Sequence, residues 1–137
     1  MNDVSRWFLR LGVASALVGM SIGIAMGMAQ DFTLAPAHAH LNLLGWVSMM
    51  LYGLAYHVVP GMAGGRLPRV HFAMATVGML LMVPGIAMVV MGHHEGEPVA
   101  IAGSLVTIGS MLLFAVILYR ATAAQGRRVA SLAEAPA

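Results

Sequence analysis

Four apolar segments, each about 20 residues long, limit what this chain can fold into. A helix of about 20 residues crosses the hydrocarbon core of a bilayer, which is about 30 Å thick. Backbone polar groups in lipid must be satisfied within their own segment, and four spans cannot close a barrel, so each segment is expected to be a helix. The predicted helices cover residues 7–28, 38–59, 71–91 and 99–119. We therefore expect an all-α integral membrane protein, with a four-transmembrane-helix bundle over residues 1–120 and a short cytoplasmic tail over residues 121–137.

The composition excludes several classes of protein. Of the 137 residues, 60% are hydrophobic and 9% are charged, against roughly 25% charged residues in an ordinary soluble domain. So few charges cannot cover the surface of a soluble protein. The chain has no cysteine, which excludes disulfides, thiolate metal sites and covalent attachment of a c-type haem.

The basic residues predict the orientation in the membrane. All seven are arginines at the ends of the apolar segments: Arg6, Arg10, Arg66, Arg69, Arg120, Arg127 and Arg128. The other two loops carry only the acidic residues Asp31, Glu95 and Glu97. By the positive-inside rule both termini are cytoplasmic, in a membrane of the bacterial inner (cytoplasmic) type. Arginines in these positions serve orientation, so we expect no nucleic-acid partner.

Small and aromatic residues indicate how the helices pack. Gly19, Gly23 and Gly27 recur every four residues and predict a face of the first helix that a neighbouring helix can approach closely. Tyr52 and Tyr56 of the second helix are expected to pack in the bundle or to line a pocket.

The first two histidines of the chain, His38 and His40, open the second helix. A helix turns by about 100° per residue, so positions two apart point roughly 200° away from each other and cannot chelate one ion. If both are ligands, they serve two sites on opposite sides of the helix. A four-helix bundle has little room for two large pockets, so the spacing favours pockets between protomers of a ring-shaped oligomer.

The ligand chemistry favours a b-type haem. Imidazole binds haem iron, zinc and copper, but the chain lacks the cysteines and buried carboxylates of a zinc or copper cage. Haem b needs only one or two axial imidazoles and an apolar slot. The alternative is that His38 and His40 are interfacial residues that bind headgroups or cap the helix.

The remaining four histidines are given other roles. His57 and His71, at the cytoplasmic ends of their helices, are interpreted as interfacial. His93 and His94 lie in an outer loop beside Glu95. They are either interfacial or contact haem propionates or weakly bound metal.

Two stretches of the chain resemble subunit I of the haem-copper oxidase superfamily, which includes cytochrome c oxidases and nitric oxide reductases. The first is Ala37-His38-Ala39-His40 and the helix that ends Tyr56-His57-Val58-Val59-Pro60, which is similar to the family's tenth helix. The second is Arg69-Val70-His71-Phe72 and the helix with Pro84-Gly85, which is similar to the eleventh. The predicted helices 7–28 and 99–119 match the ninth and twelfth in length and placement only.

The resemblance implies a cofactor and an assembly. In the family, the two histidines of this motif bind different haems, which implies that His38 and His40 are axial ligands of haem iron. The family fold is three arcs of four helices around a pseudo-threefold axis, and this chain resembles one arc. The resemblance therefore implies a homotrimer with haem between neighbouring protomers.

The departures from the family pattern bear on activity. The helices that carry the family's copper ligands and cross-linked tyrosine have no counterpart, and the outer loop Gly92–Pro98 lacks the arginine pair that meets haem propionates. The spans contain no Asp, Glu or Lys for a proton channel. Oxygen reduction at a haem-copper centre is therefore not expected.

Three hypotheses for function follow. The first is a homotrimeric haem-b membrane protein for electron transfer or gas sensing, with an unknown redox partner. The second is a small nitric oxide or oxygen reductase in which His93 and His94 help to hold a non-haem metal. The third is an accessory membrane subunit without a cofactor.

Overall fold

The chain is helical throughout the part that the structure describes. A computed structural model describes the backbone of residues 1–133, and the side chains through Arg127 together with Ser131. Its helices are α1 (Asp3–Ala29), α2 (Ala35–His40), a π-helical segment (Leu41–Ser48), α3 (Met49–Val58), α4 (Leu67–Val90) and α5 (Gly96–Ala133). Within the described residues, α1, α4 and the part of α5 up to Arg127 are long and apolar enough to cross a membrane. The prediction of an all-α protein is confirmed, together with helices that could span a membrane.

The second predicted helix consists of three pieces that follow one another without a break. α2, the π-helical segment and α3 have six, eight and ten residues. Leu41 (φ −60°, ψ −43°) and Met49 (φ −63°, ψ −39°), at the two junctions, keep right-handed helical angles. The chain therefore stays helical from Ala35 to Val58, three residues further toward the N-terminus than predicted. Pro36 fits this start because a helix's first turn needs no N–H from it.

α5 is longer than the predicted helix over residues 99–119. It begins at Gly96 and continues to Ala133, so most of the predicted tail is helical. Alanine is the strongest helix former, and Ala121, Ala123 and Ala124 extend the helix where the apolar segment ends. Residues 134–137 of the predicted tail lie outside the described residues.

Hydrogen bonds join the start of α1 to the end of α3. The Asn2 Oδ1 caps α1 by accepting from the Ser5 backbone N–H at 2.8 Å. The same amide donates to the Tyr56 carbonyl at 2.7 Å, and the buried Ser5 hydroxyl donates to the Gly53 carbonyl at 2.8 Å. Two carbonyls near the end of α3 are thus bound by side chains, which fixes α1 beside α3 at this end of the bundle.

Gly92 closes α4. Its φ of +87° lies in the left-handed region that favours glycine. The Gly92 N–H donates to the Val89 carbonyl at 3.0 Å and the His93 N–H donates to the Met88 carbonyl at 2.9 Å. This is the Schellman arrangement, which ends the helix and turns the chain back toward α5.

α4 and α5 pack with their backbones in close approach. A Cβ atom on Gly85 would lie 2.5 Å from the Ala100 nitrogen, and one on Gly96 would lie 2.6 Å from the Gly85 carbonyl oxygen. A Cβ atom on Gly103 would overlap the Met82 backbone. The two helices can therefore approach this closely only because these positions lack side chains.

α1 packs against the helical stretch from Ala35 to Val58. A Cβ atom on Gly19 would lie 2.6 Å from Asn42 Oδ1, and one on Gly23 would lie 3.1 Å from His38 Cε1. The predicted packing role is confirmed for these two glycines. A Cβ atom on Gly27 would meet nothing within 4 Å among the described residues, so the predicted close approach of a neighbouring helix does not reach this position.

The outer face of α5 carries a row of exposed apolar side chains. Ile101, Leu105, Ile108 and Leu112 follow the spacing of one helix face and are exposed. Lipid tails solvate such a face in a membrane-spanning helix.

Replacing Gly85 by alanine is expected to lower stability by about 1–3 kcal/mol, because the new methyl group forces the α4 and α5 backbones apart. Thermal unfolding of the purified protein in detergent measures the change. Gly27→Ala is the matched control and should leave the unfolding temperature unchanged or raise it. Equal losses for the two variants would show that close packing of α4 on α5 is not the cause.

Candidate functional site

The His40 ring is oriented by the helix that carries it. His40 Nδ1 lies 2.8 Å from the Pro36 carbonyl oxygen, four residues earlier. A carbonyl can only accept, so Nδ1 carries the proton and Nε2 keeps its lone pair. The side chain is half-buried. Histidine ligands of metals commonly have this arrangement, in which a hydrogen bond from one nitrogen fixes the tautomer and leaves the other free to bind.

His38 lies on the side of the helix that faces α1. Its Cε1 is 3.1 Å from the position that a Cβ of Gly23 would take, so the ring fits against α1 where that helix has no side chain. The Asn42 amide nitrogen lies 3.3 Å from each ring nitrogen and 2.9 Å from the His38 carbonyl oxygen. The amide is therefore hydrogen-bonded mainly to the His38 carbonyl, and neither ring nitrogen has a close hydrogen-bond partner in Asn42. His38 and His40 thus have different surroundings, as their spacing requires.

The loop before α2 is ordered by its own hydrogen bonds. Asp31 Oδ1 accepts from the Thr33 hydroxyl at 2.7 Å and from the Thr33 N–H at 2.9 Å. Both bonds hold the pKa of the Asp31 carboxyl below its usual value, with the hydroxyl as the larger cause. The Ala35 N–H donates to the Phe32 carbonyl and the His38 N–H donates to the Leu34 carbonyl, both at 2.9 Å. This loop therefore fixes the point at which the histidine-bearing helix begins.

The histidines of the loop between α4 and α5 are not joined to the His38 and His40 pair by any hydrogen bond between described residues. His93 and His94 are exposed, and His94 Nδ1 lies 3.0 Å from Glu97 Oε1. No group of three or more His, Cys, Asp or Glu side chains within the described part of the chain is placed to hold a metal ion. The structure thus gives a non-haem metal site in this loop no support, and the predicted contact with haem propionates stays a prediction.

The interpretation of His71 as an interfacial residue is wrong. His57 is exposed, as expected for that role, but His71 is 0% exposed. Its Nδ1 lies 3.0 Å from the Tyr56 hydroxyl, and its Nε2 is buried without a hydrogen-bond partner. Burial of a histidine is costly unless it is hydrogen-bonded, so the contact with Tyr56 is what makes this position tolerable.

Aromatic rings surround His71. Its ring centroid lies 4.6 Å from Tyr52, 5.1 Å from Phe8 and 5.4 Å from Phe114. Tyr56 stacks on Phe8 at 5.6 Å. The cluster joins α1, α3, α4 and α5, so His71 is enclosed where these four helices meet and is not exposed on the surface of the protein. Tyr52 and Tyr56 are buried, which confirms that they pack in the bundle.

A sequence signal existed for the pairing of Tyr56 with His71. Tyr56 lies two residues before the end of α3 and His71 is the fifth residue of α4, with only a short loop between the two helices. Antiparallel helices with a short connection bring such positions side by side. A polar residue inside an otherwise apolar span is also commonly paired.

Comparison with known proteins gives one partial similarity. No protein-family model matches the chain, and no solved structure matches it. The chain is 35% identical over 65 residues to the Cbb3-type cytochrome c oxidase subunit CcoN1 of Stutzerimonas stutzeri. The match covers 43% of this chain and spans 13% of the length of that subunit. It is consistent with a relationship to the haem-copper oxidases, and together with the apolar helices it fits a bacterial inner membrane.

Replacing Tyr56 by phenylalanine is expected to lower stability by about 1–3 kcal/mol, because it removes the partner of the buried His71 Nδ1. Thermal or denaturant unfolding in detergent measures the loss. Tyr119→Phe removes a hydroxyl from a side chain of α5 that is 74% exposed, and serves as the control with no expected loss. If both variants unfold alike, the Tyr56–His71 contact does not stabilise the bundle.

Proposed function

We propose that this chain is a haem-b-binding membrane protein, a homotrimer whose haems lie between protomers and serve electron transfer or gas sensing. Each haem would be held by His38 of one protomer and His40 of the next. The helical stretch from Ala35 to Val58 would form the fourth span of the bundle, with both termini in the cytoplasm. His93 and His94, at the outer end of the bundle in this orientation, would contact the haem propionates.

The observation that carries the proposal is the geometry of His40. Its Nδ1–H is bound to the Pro36 carbonyl at 2.8 Å, so in the neutral ring Nε2 is the nitrogen with the lone pair. The bond also holds the ring at a fixed angle to the helix. The side chain is half-buried in a single protomer, where a second protomer could enclose it. These properties fit an axial ligand of haem iron.

His38 fits the same role from the other side of the helix. The absence of a side chain at Gly23 leaves room for its ring beside α1. The nearby Asn42 amide is better placed on the His38 carbonyl, at 2.9 Å, than on either ring nitrogen, at 3.3 Å. A small rotation of the amide therefore frees a ring nitrogen for a ligand, while the bond to the carbonyl is kept.

The spacing of the two histidines supports ligation between protomers. Because the rings point roughly 200° apart, one haem cannot take both from one chain. A closed ring solves this by pairing unlike surfaces of neighbouring chains. The partial similarity to an oxidase subunit, and the resemblance of the motif to that family, support three protomers in the ring.

A haem bound in this way supplies reversible one-electron transfer between two iron oxidation states. The chain itself would supply the two imidazoles, and the Pro36 carbonyl orients that of His40. The described residues offer no further metal group beside these histidines, so electron transfer or gas binding is favoured over a two-metal reaction.

The protein purified in the presence of haem is expected to show the absorption of six-coordinate low-spin haem b, and His40→Ala is expected to abolish it. His57→Ala is the matched control, because His57 is an exposed histidine at the other end of the same helical stretch. Haem extraction and iron analysis give the stoichiometry. A colourless wild-type protein after reconstitution, or an unchanged spectrum in His40→Ala, would contradict the proposal.

Co-expression of His38→Ala and His40→Ala chains tests ligation between protomers. Neither variant alone has a complete pocket, but a mixed trimer has one interface that joins an intact His38 to an intact His40. We expect the low-spin absorption to return in affinity-purified mixed trimers at about one-third of the wild-type intensity. If both ligands came from one chain, mixing would restore nothing.

A further inference from the structure

A small cavity lies within the protomer, between the helix of the two histidines and α5. The second helical stretch lines it with Leu44, Ser48, Met49 and Tyr52. α4 contributes Ala75, and α5 contributes Thr107 and Ser110. The lining is apolar except for four hydroxyl groups. It contains none of the proposed haem ligands, so the cavity is independent of the proposed function.

Two of these hydroxyls are buried without a partner. Thr107 Oγ1 and Ser110 Oγ make no hydrogen bond, although the Ser110 side chain is buried within the bundle and the residue is only 2% exposed. A buried hydroxyl without a hydrogen bond costs about 1–3 kcal/mol, and native proteins rarely leave one so.

Other hydroxyls on the same helix donate to a carbonyl of the helix itself. Ser104 Oγ donates to the Ala100 carbonyl at 2.9 Å and Thr122 Oγ1 donates to the Leu118 carbonyl at 3.0 Å, four residues earlier in each case. Thr76 of α4 does the same with the Phe72 carbonyl. Thr107 and Ser110 depart from this pattern, and both line the cavity.

Two more polar groups complete the lining. Ser48 is the last residue of the π-helical segment and makes no hydrogen bond among those of the described side chains. The Tyr52 hydroxyl donates to Met111 Sδ at 3.8 Å, a weak acceptor. A molecule bound in the cavity would therefore contact several hydroxyl groups that lack a strong hydrogen-bond partner.

We infer that this cavity binds one buried water molecule, which bridges Thr107 and Ser110 of α5 to the π-helical segment. The cavity volume is about 10 Å³, and one water needs roughly 10–15 Å³ measured in this way. The space is thus at the lower limit of what one water needs. A buried water typically makes about three hydrogen bonds, which Thr107, Ser110 and either Ser48 or Tyr52 can supply.

The water explains how α5 is attached to the second helical stretch. α5 packs closely on α4 through glycines, but its contacts with the π-helical segment are few. A π-helical segment in a helix often marks a functional position. The bridging water gives this segment a polar connection to α5.

Thermal unfolding of Ser110→Ala and Thr107→Val in detergent tests the inference. If a water bridges the two hydroxyls, each variant removes one of its partners, and the unfolding temperature falls by about 3 °C or more. The double variant loses less than the sum of the two, because both changes act on one water. If the cavity is dry, each variant removes an unpaired buried hydroxyl and the unfolding temperature rises, which overturns the inference.

Two further measurements keep the test independent of variant folding. Ser104→Ala is the control, because its hydroxyl bonds within its own helix and lies outside the cavity, and a much smaller change is expected. A high-resolution density map of the wild-type protein should show a peak within hydrogen-bond distance of both Thr107 Oγ1 and Ser110 Oγ. An empty cavity in that map would contradict the inference, whatever the haem spectrum shows.

Discussion

Helices inside a membrane gain little by burying apolar side chains against one another, because lipid tails are equally apolar. The bundle must therefore be held by close backbone approach and by a few polar contacts. Close backbone approach between α4 and α5 depends on Gly85, Gly96 and Gly103. Polar contacts between α1 and α3 come from Asn2 and Ser5. The exposed apolar face of α5 follows from the same constraint, since lipid is a suitable neighbour for it.

The sequence was sufficient for the class of fold and for the approximate position of every apolar helix. Lipid permits few backbone structures, so length and hydropathy leave little choice. The residues at which the helices begin and end were less well predicted. Hydropathy marks where a segment leaves the hydrocarbon, whereas α5 continues to Ala133 because alanine favours helix outside the membrane as well. The π-helical segment had no sequence signal. Its Gly45 is closely packed, because Ser15 and Met79 lie within 3 Å of the position of an added Cβ.

The candidate site was predictable where it depends on local geometry. The spacing of His38 and His40 determines that their rings diverge, and Pro36 lies four residues before His40, within reach of its Nδ1. His71 was misjudged because its burial depends on tertiary contacts. Phe8, Tyr52 and Phe114 come from three different helices, and no local pattern shows that they converge on one imidazole. For the same reason, nothing local distinguished Thr107 and Ser110 from Ser104.

The π-helical segment has a consequence for how the two ends of its helix are aligned. His38 and His40 precede it, and Tyr52 and Tyr56 follow it. Each α-helical residue corresponds to a rotation of about 100°. A π-helical turn holds more residues than an α-helical turn, so the eight residues from Leu41 to Ser48 turn the imidazole pair, relative to the buried tyrosines, through a smaller angle than eight α-helical residues would. The length of this segment thus sets which neighbouring surface each histidine faces.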